Sequence, residues 1–132
     1  MTKEELVSGA KEFLKNKGYK KRNTTWVKQA DDDISVVVNI QSSQYDKSIF
    51  YINLGVYIRS LGSKEIPSIR DCHMSERVNA SVNSISVFEN IVEKWEQWYG
   101  SQAAIYEKVI ERKMPMFTNK HVYGYFLVKG HG

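Results

Sequence analysis

The sequence has only one cysteine and two prolines among its 132 residues, and it has no long apolar run. A single cysteine cannot form an internal disulfide, so nothing indicates an oxidising compartment and we expect a cytoplasmic protein. No apolar stretch approaches the roughly 20 residues that span a bilayer, and the N-terminus lacks a basic region followed by an apolar one. We therefore expect neither a membrane partner nor export.

Motifs for nucleotide, hydrolase and metal chemistry are also missing. There is no Walker loop, no dinucleotide fingerprint and no Gly-x-Ser-x-Gly elbow. His73, His121 and His131 are widely spaced and share a single thiol, whereas a structural zinc site needs four ligands. The run Asp31-Asp32-Asp33 lacks the alternate spacing and central glycine of a calcium loop, and it favours a hairpin turn. We predict no metal and no cofactor.

The composition is that of a globular protein. Hydrophobic residues make up 42% and charged residues 26%, and 8 Tyr, 5 Phe and 3 Trp exclude a disordered chain. This length suits one ordinary domain with a single core. We predict one domain over residues 1–132.

Capping boxes mark two predicted helices. Thr2 with Glu5 begins the first, over residues 2–17. Ser86 with Glu89 begins the second, whose buried stripe is mainly aromatic and aliphatic, formed by Phe88, Ile91, Val92, Trp95, Trp98 and Tyr99.

A third helix follows the second. Gly100 and Ser101 separate the two, and the new helix extends to about Lys113, before Pro115. For residues 115–132 the pattern does not choose between a strand and a short helix.

Three β segments are predicted over residues 24–29, 34–41 and 49–58. Alternation divides the two longer ones into an aliphatic face and a polar, aromatic face, because successive side chains of a strand point to opposite sides. The fold class is therefore predicted to be α+β, a three- or four-stranded antiparallel sheet with the N-terminal helix and the two C-terminal helices packed on one face.

The segment "DCHMSERV", from Asp71, holds the lone thiol beside a histidine. Adjacent residues on a strand point apart, so Cys72 and His73 do not form a catalytic pair, and we predict no catalytic residue. Alternation instead assigns Cys72 and Met74 to the core and His73 and Arg77 to the polar face. If the chain were an enzyme, its acid–base groups would come from Asp71, His73 and Glu76.

A basic cluster follows the first helix, formed by Lys17, Lys20, Lys21 and Arg22. Cations are favoured at a helix C-terminus because its carbonyl groups are unpaired, so capping and solubility explain the cluster. A phosphate-binding patch is the alternative.

Four motifs together resemble the bacterial domain-of-unknown-function family 4304: Trp26 in an early strand, "VVNIQSS" from Val37, "YINLGVYI" from Tyr51 and "DCHMSER" from Asp71. The resemblance covers about residues 5–100. It implies no catalytic residue, and it implies a protein partner, in the manner of the small immunity proteins that neutralise bacterial toxins.

These observations favour a non-enzymatic protein-binding domain. Its predicted site is the polar sheet face, with the segment from Asp71 joining the sheet, and comprises Asn39, Gln41, Tyr51, Asn53, Tyr57, His73 and Arg77. Whether that face is open or covered by helices is left undecided. The alternative function is single-stranded nucleic-acid binding, with bases stacked on Tyr51 and Tyr57 and phosphates on the basic cluster.

Overall fold

The computed structural model describes residues 2–46, 49–79 and 84–129, and these residues form an α+β structure as predicted. In chain order the elements are α1 (Lys3–Asn16), β1 (Lys20–Arg22), β2 (Thr25–Gln29), β3 (Ile34–Ser42), β4 (Phe50–Ile58), β5 (Met74–Asn79), α2 (Ile85–Tyr99), α3 (Gln102–Glu111), β6 (Phe117–Thr118) and α4 (Lys120–Lys129).

The sheet has six strands, and each strand pairs antiparallel with the next one in sequence. The predicted number of three or four strands is therefore wrong. The additional strands are the two edges, β1 and β6, which contain three and two residues. Segments of this length cannot show a period-2 pattern, so pairing with a neighbour defines them and the local sequence does not.

All four described helices pack on one face of the sheet, which we call the helix face. Its core joins aliphatic side chains of β3 and β4 to one stripe from each helix, including Leu6, Phe88, Ile105 and Phe126. The predicted layout of one N-terminal and two C-terminal helices is corrected by α4, in which Val122 and Phe126 are buried. None of the helices in the described residues is long and apolar enough to cross a membrane.

The second helix begins earlier than its predicted capping box. Ser84 is the N-cap, and its hydroxyl accepts a hydrogen bond from the Val87 N–H at 3.3 Å, so Ser86 and Glu89 lie inside α2. This start lets Ile85 pack against the core. The predicted break after Tyr99 is confirmed, since Ser101 caps α3.

The chain between β4 and β5 folds over part of the opposite face, which we call the second face. There Val37, Tyr57 and Cys72 form a separate buried cluster. The assignment of Cys72 to the same side as Met74 is therefore wrong, because residues 69–71 form a 3₁₀ turn and alternation begins only with β5 at Met74. A Cβ atom at Gly55 would lie 2.5 Å from Cys72 Sγ, so only glycine lets the two approach this closely.

The aspartate run forms the turn between β2 and β3, as predicted. Asp31 Oδ1 accepts hydrogen bonds from the N–H groups of Asp33 and Ile34, while its Oδ2 accepts one from the Gln102 N–H at the start of α3. Asp33 accepts hydrogen bonds from Ser60 and Tyr125. The carboxylates thus connect the hairpin to α3, α4 and the segment after β4. Within the described residues no group of three metal-ligating side chains occurs.

Candidate polar interface on the second face

Five side chains on the second face lie in one row across five strands. The register opposes Arg22 to Thr25, Thr25 to Asn39, Asn39 to Asn53 and Asn53 to Arg77. Directly opposed residues share a face, because the side chains of paired strands alternate in step. We call these five residues the polar row. An arginine stands at each end of it.

Hydrogen bonds connect the members of the row from Thr25 to Arg77. Asn39 Nδ2 donates to Thr25 Oγ1 at 2.9 Å, and Asn53 Nδ2 donates to Asn39 Oδ1 at 2.9 Å. Arg77 Nε donates to Asn53 Oδ1 at 3.1 Å. Asn53 is only 5% exposed, so its amide is held in one orientation by neighbours on both sides. The row therefore has a defined geometry before any ligand arrives.

A second row beside it completes the surface with Gln41 and Tyr51. Gln41 Oε1 accepts hydrogen bonds from Asn53 Nδ2 at 3.0 Å and from Arg77 Nη2 at 3.4 Å. The Arg77 guanidinium carbon lies 4.5 Å from the centroid of the Tyr51 ring, a cation–π contact. Arg77 is exposed and Tyr51 is half-buried. This surface thus holds an arginine and a tyrosine together in the open.

Tyr57 does not belong to that open surface. It is 2% exposed beneath the segment after β4, and its hydroxyl accepts a hydrogen bond from the Lys64 N–H at 2.7 Å. Its ring is 5.0 Å from that of His73. Although Tyr57 follows Tyr51 on the same strand and face, it is a structural residue.

His73 and Cys72 are likewise committed to protein neighbours. The Nδ1 atom of His73 accepts a hydrogen bond from the Ile58 N–H at 3.0 Å, and partial burial lowers the pKa of the imidazole despite the nearby Asp33 carboxylate. The Cys72 thiol contacts the Ser68 carbonyl oxygen at 3.5 Å, and burial raises its pKa. A thiol kept protonated is not a nucleophile.

The structure thus brings together five of the seven predicted site residues: Asn39, Gln41, Tyr51, Asn53 and Arg77. It places Tyr57 apart, under the covering segment, and His73 within that segment, half-buried against the Tyr57 ring. The predicted site omitted Thr25, and it omitted Arg22, which the sequence assigned to the basic cluster instead. The only signal for them is the pairing of β1 with β2, which a three-residue strand does not announce.

The basic cluster that follows α1 is divided between the two faces. Lys17 Nζ forms an ion pair with Glu96 at 2.9 Å, and Lys28 Nζ forms another at 2.8 Å. Burial works to raise the pKa of Glu96, but hydrogen bonds from Lys17, Lys28 and Tyr19 outweigh it and hold that pKa below its usual value. Lys21 lies 5.8 Å from the centroid of Trp26.

Lys20 and Arg22 lie on the second face instead, since they are opposed to Val27 and Thr25. The cluster is therefore partly structural and partly a feature of the open surface.

The fold and the surface together define a class: an antiparallel sheet whose first face is filled by helices and whose second face presents a prearranged polar patch. The chain belongs to the family described as domain of unknown function DUF4304, whose sequence profile matches residues 10–125. The family resemblance of the motifs is thereby confirmed and extends into α4. Comparison with curated proteins and with solved structures finds no match.

Proposed function

We propose that this protein is a non-enzymatic intracellular domain that binds another protein through the open part of its second face. The observation that carries the proposal is the exposed Arg77 guanidinium held against the Tyr51 ring by hydrogen bonds to Asn53 and Gln41. Arginine and tyrosine are enriched among the residues that dominate interface energies. Their prior fixation reduces the conformational entropy that binding would otherwise cost.

The charge of this surface indicates the chemistry of the partner. Arg22 and Arg77 stand at the two ends of the polar row, and the side chains between them, Thr25, Asn39 and Asn53, are uncharged. A partner whose contact surface carries carboxylates at matching positions would complement both arginines. We therefore propose an acidic partner surface.

A toxin neutralised by this domain is the finer part of the proposal. It rests on the family resemblance, because families of this size and style look similar to the small immunity proteins that bind a cognate toxin. The acidic partner surface is independent of that resemblance.

Single-stranded nucleic-acid binding is less well supported by the geometry. That function required Tyr51 and Tyr57 as two adjacent stacking platforms. Tyr57 is 2% exposed, and the Tyr51 ring already carries Arg77.

Binding to the products of the neighbouring genes, each purified and titrated calorimetrically, tests the proposal. With a partner in hand, Arg77→Ala and Tyr51→Ala are each expected to weaken binding by about tenfold or more, the effect of a hot-spot residue. Tyr123→Ala and Lys11→Ala, on the helix layer, serve as matched controls and should leave the affinity unchanged. An Arg77→Ala/Tyr51→Ala double variant that is folded and binds like the parent would refute this choice of surface.

A further inference from the structure

We propose that a groove at the β1 end of the second face receives an acidic peptide segment of the partner, with an apolar side chain between its carboxylates. This inference rests on the proposed function and adds the form of the ligand. The groove has a volume of about 950 Å³ and is lined on one side by β1 and β2 and on the other by Arg59 and residues 65–68. We call it the basic groove.

Three cations of the basic groove are available to a ligand. Lys20 and Arg22 are exposed, and neither makes an ion pair or a side-chain hydrogen bond within the described part of the chain. Arg59 is half-buried, and its Nε atom is buried with no hydrogen-bond partner in the same residues. Because Arg59 lines the groove and makes no ion pair in the described chain, a carboxylate placed there would be stabilised by the charge of its guanidinium.

Two further cations that line the groove are already engaged. Lys28 pairs with Glu96, and Lys21 lies over Trp26. The acidic residue in the lining is Glu65. The balance of uncommitted charge in the basic groove is therefore positive, which favours an anionic ligand.

The groove also contains apolar surface. Val27 packs against the second-face cluster, Pro67 is buried, and Ile66 is 60% exposed. An aliphatic side chain of the ligand that covered Ile66 would remove apolar area from water on both partners. Purely ionic ligands would leave this surface exposed.

The lining favours a peptide over a nucleic acid. None of the residues that form the groove in the described chain is aromatic. Single-stranded nucleic acids generally stack their bases on aromatic side chains, which this groove does not provide. A peptide that carries carboxylates and an aliphatic side chain matches both the cations and the apolar surface of the groove.

The basic groove is continuous with the proposed interface, because Arg22 and Thr25 belong to both. Four strand spacings separate Arg22 from Arg77 along the polar row, about 19 Å at roughly 4.8 Å each. An extended chain covers that distance in about six residues. One acidic segment lying across the strands can therefore contact the groove and Arg77 together.

The test uses the full chain and a fluorescein-labelled peptide of glutamates around a central leucine pair, followed by anisotropy. We expect the charge reversal Lys20→Glu/Arg22→Glu to weaken binding by at least about tenfold, because it replaces two attractive charges by repulsive ones. Lys20→Gln/Arg22→Gln, a milder variant, should weaken it several-fold. Lys11→Glu/Lys15→Glu, on α1, makes the same change of net charge and should have little effect.

The composition of the peptide is varied in parallel. Replacing its leucines by serine should weaken binding several-fold. Equal binding of the serine peptide would overturn the apolar part of the inference, and unchanged binding to Lys20→Glu/Arg22→Glu would overturn the site itself. An oligouridine that binds more tightly than the peptide, and loses binding in the same variant, would make the groove a nucleic-acid site.

The two proposals fail separately. Groove variants that lose the peptide yet bind the whole partner with parental affinity would overturn this inference and leave the proposed function standing. Parental affinity of Arg77→Ala/Tyr51→Ala for the partner would overturn the proposed interface, while the peptide titration would still report on the groove.

Discussion

The second face of the sheet has two parts that are built from the same strands but differ in their role. At one part, Val37 and Tyr57 are buried beneath the segment that connects β4 to β5, which contributes Cys72 to the same cluster. At the other, Asn39, Asn53 and Arg77 form a hydrogen-bonded row that ends in the exposed Arg77. The comparison teaches that the face a residue occupies and its access to solvent are separate properties.

The matched pair Tyr51 and Tyr57 shows this difference best. Both lie on β4 and point to the second face. The Tyr51 ring contacts the Arg77 guanidinium, whereas Tyr57 is buried in the cluster with Val37 and Cys72. Gly55 stands between them and permits the close approach of Cys72. On β4, the covering segment therefore lies over Tyr57 but does not extend as far as Tyr51.

The largest expected effect separates the two tyrosines. Tyr57→Ala should lower the free energy of unfolding by about 3–5 kcal/mol, since a buried aromatic ring and a hydrogen-bond acceptor are lost. Tyr51→Ala should lower it by about 1 kcal/mol or less, because that ring is half-exposed. Urea denaturation measures both. Equal losses would mean that the two parts of the face do not differ in burial.

The next effect tests the close contact beneath the covering segment. Gly55→Ala should destabilise the protein by about 1–3 kcal/mol, because the new methyl group collides with Cys72 Sγ and Ile69 Cδ1. Cys72→Ala in the same chain should recover part of this loss, which a double-mutant cycle would reveal. Gly124→Ala is the matched control. A Cβ atom added at this position would meet nothing within 4 Å beyond the backbone of its own helix, so the substitution should stabilise α4 by up to about 1 kcal/mol. Additive Gly55 and Cys72 effects would contradict the contact.

A smaller effect concerns pH. The folded pKa of His73 lies below its unfolded value, so the unfolded chain binds the proton first and stability falls as pH decreases from about 7 to 5. The lowered pKa values of Glu96 and Asp71 act in the same direction only below about pH 5, where carboxylates begin to protonate.

His73→Asn keeps an acceptor for the Ile58 N–H and removes the titration. Its unfolding free energy should therefore depend less on pH between 5 and 7 than that of the parent, as measured by urea denaturation at each pH. Identical slopes would show that His73 does not titrate differently in the two states.

The smallest expected effect on stability belongs to the open part. Arg77→Ala should change the free energy of unfolding by about 0.5 kcal/mol, because exposed cation–π contacts and surface hydrogen bonds contribute little. The same variant is expected to have a large effect on partner binding. A loss of stability comparable to that of Tyr57→Ala would make Arg77 a structural residue and would remove the basis of the interface.

Local pattern predicted the elements well where they are long. The alternation of β3 and β4 separated the helix face from the second face correctly, and the break at Gly100 was recognised from sequence. The short edge strands and the start of α2 at Ile85 were not predicted, because pairing and core packing determine them. Cys72 was assigned to the wrong side for a different reason, since a 3₁₀ turn interrupts the alternation before β5.

The site was predicted in part. Asn39, Gln41, Tyr51, Asn53 and Arg77 follow from alternation and do come together. The burial of Tyr57 could not be predicted, because it depends on the path of a connecting segment whose sequence has no periodic pattern. Such paths depend on contacts between residues distant in sequence.

Which side chains share a face can be read from the order of the residues, because side chains alternate along any strand and recur with a fixed period along any helix. Which part of the second face is covered depends on the folded path of the segment between β4 and β5, and the pattern of residues does not give that path. The tertiary structure also decided that Arg22 and Arg77 end one row, because that row exists only through four successive pairings of β1 to β5. The period of a strand or helix is a property of the local backbone. The register of paired strands and the covering of a sheet face arise from contacts between residues distant in sequence.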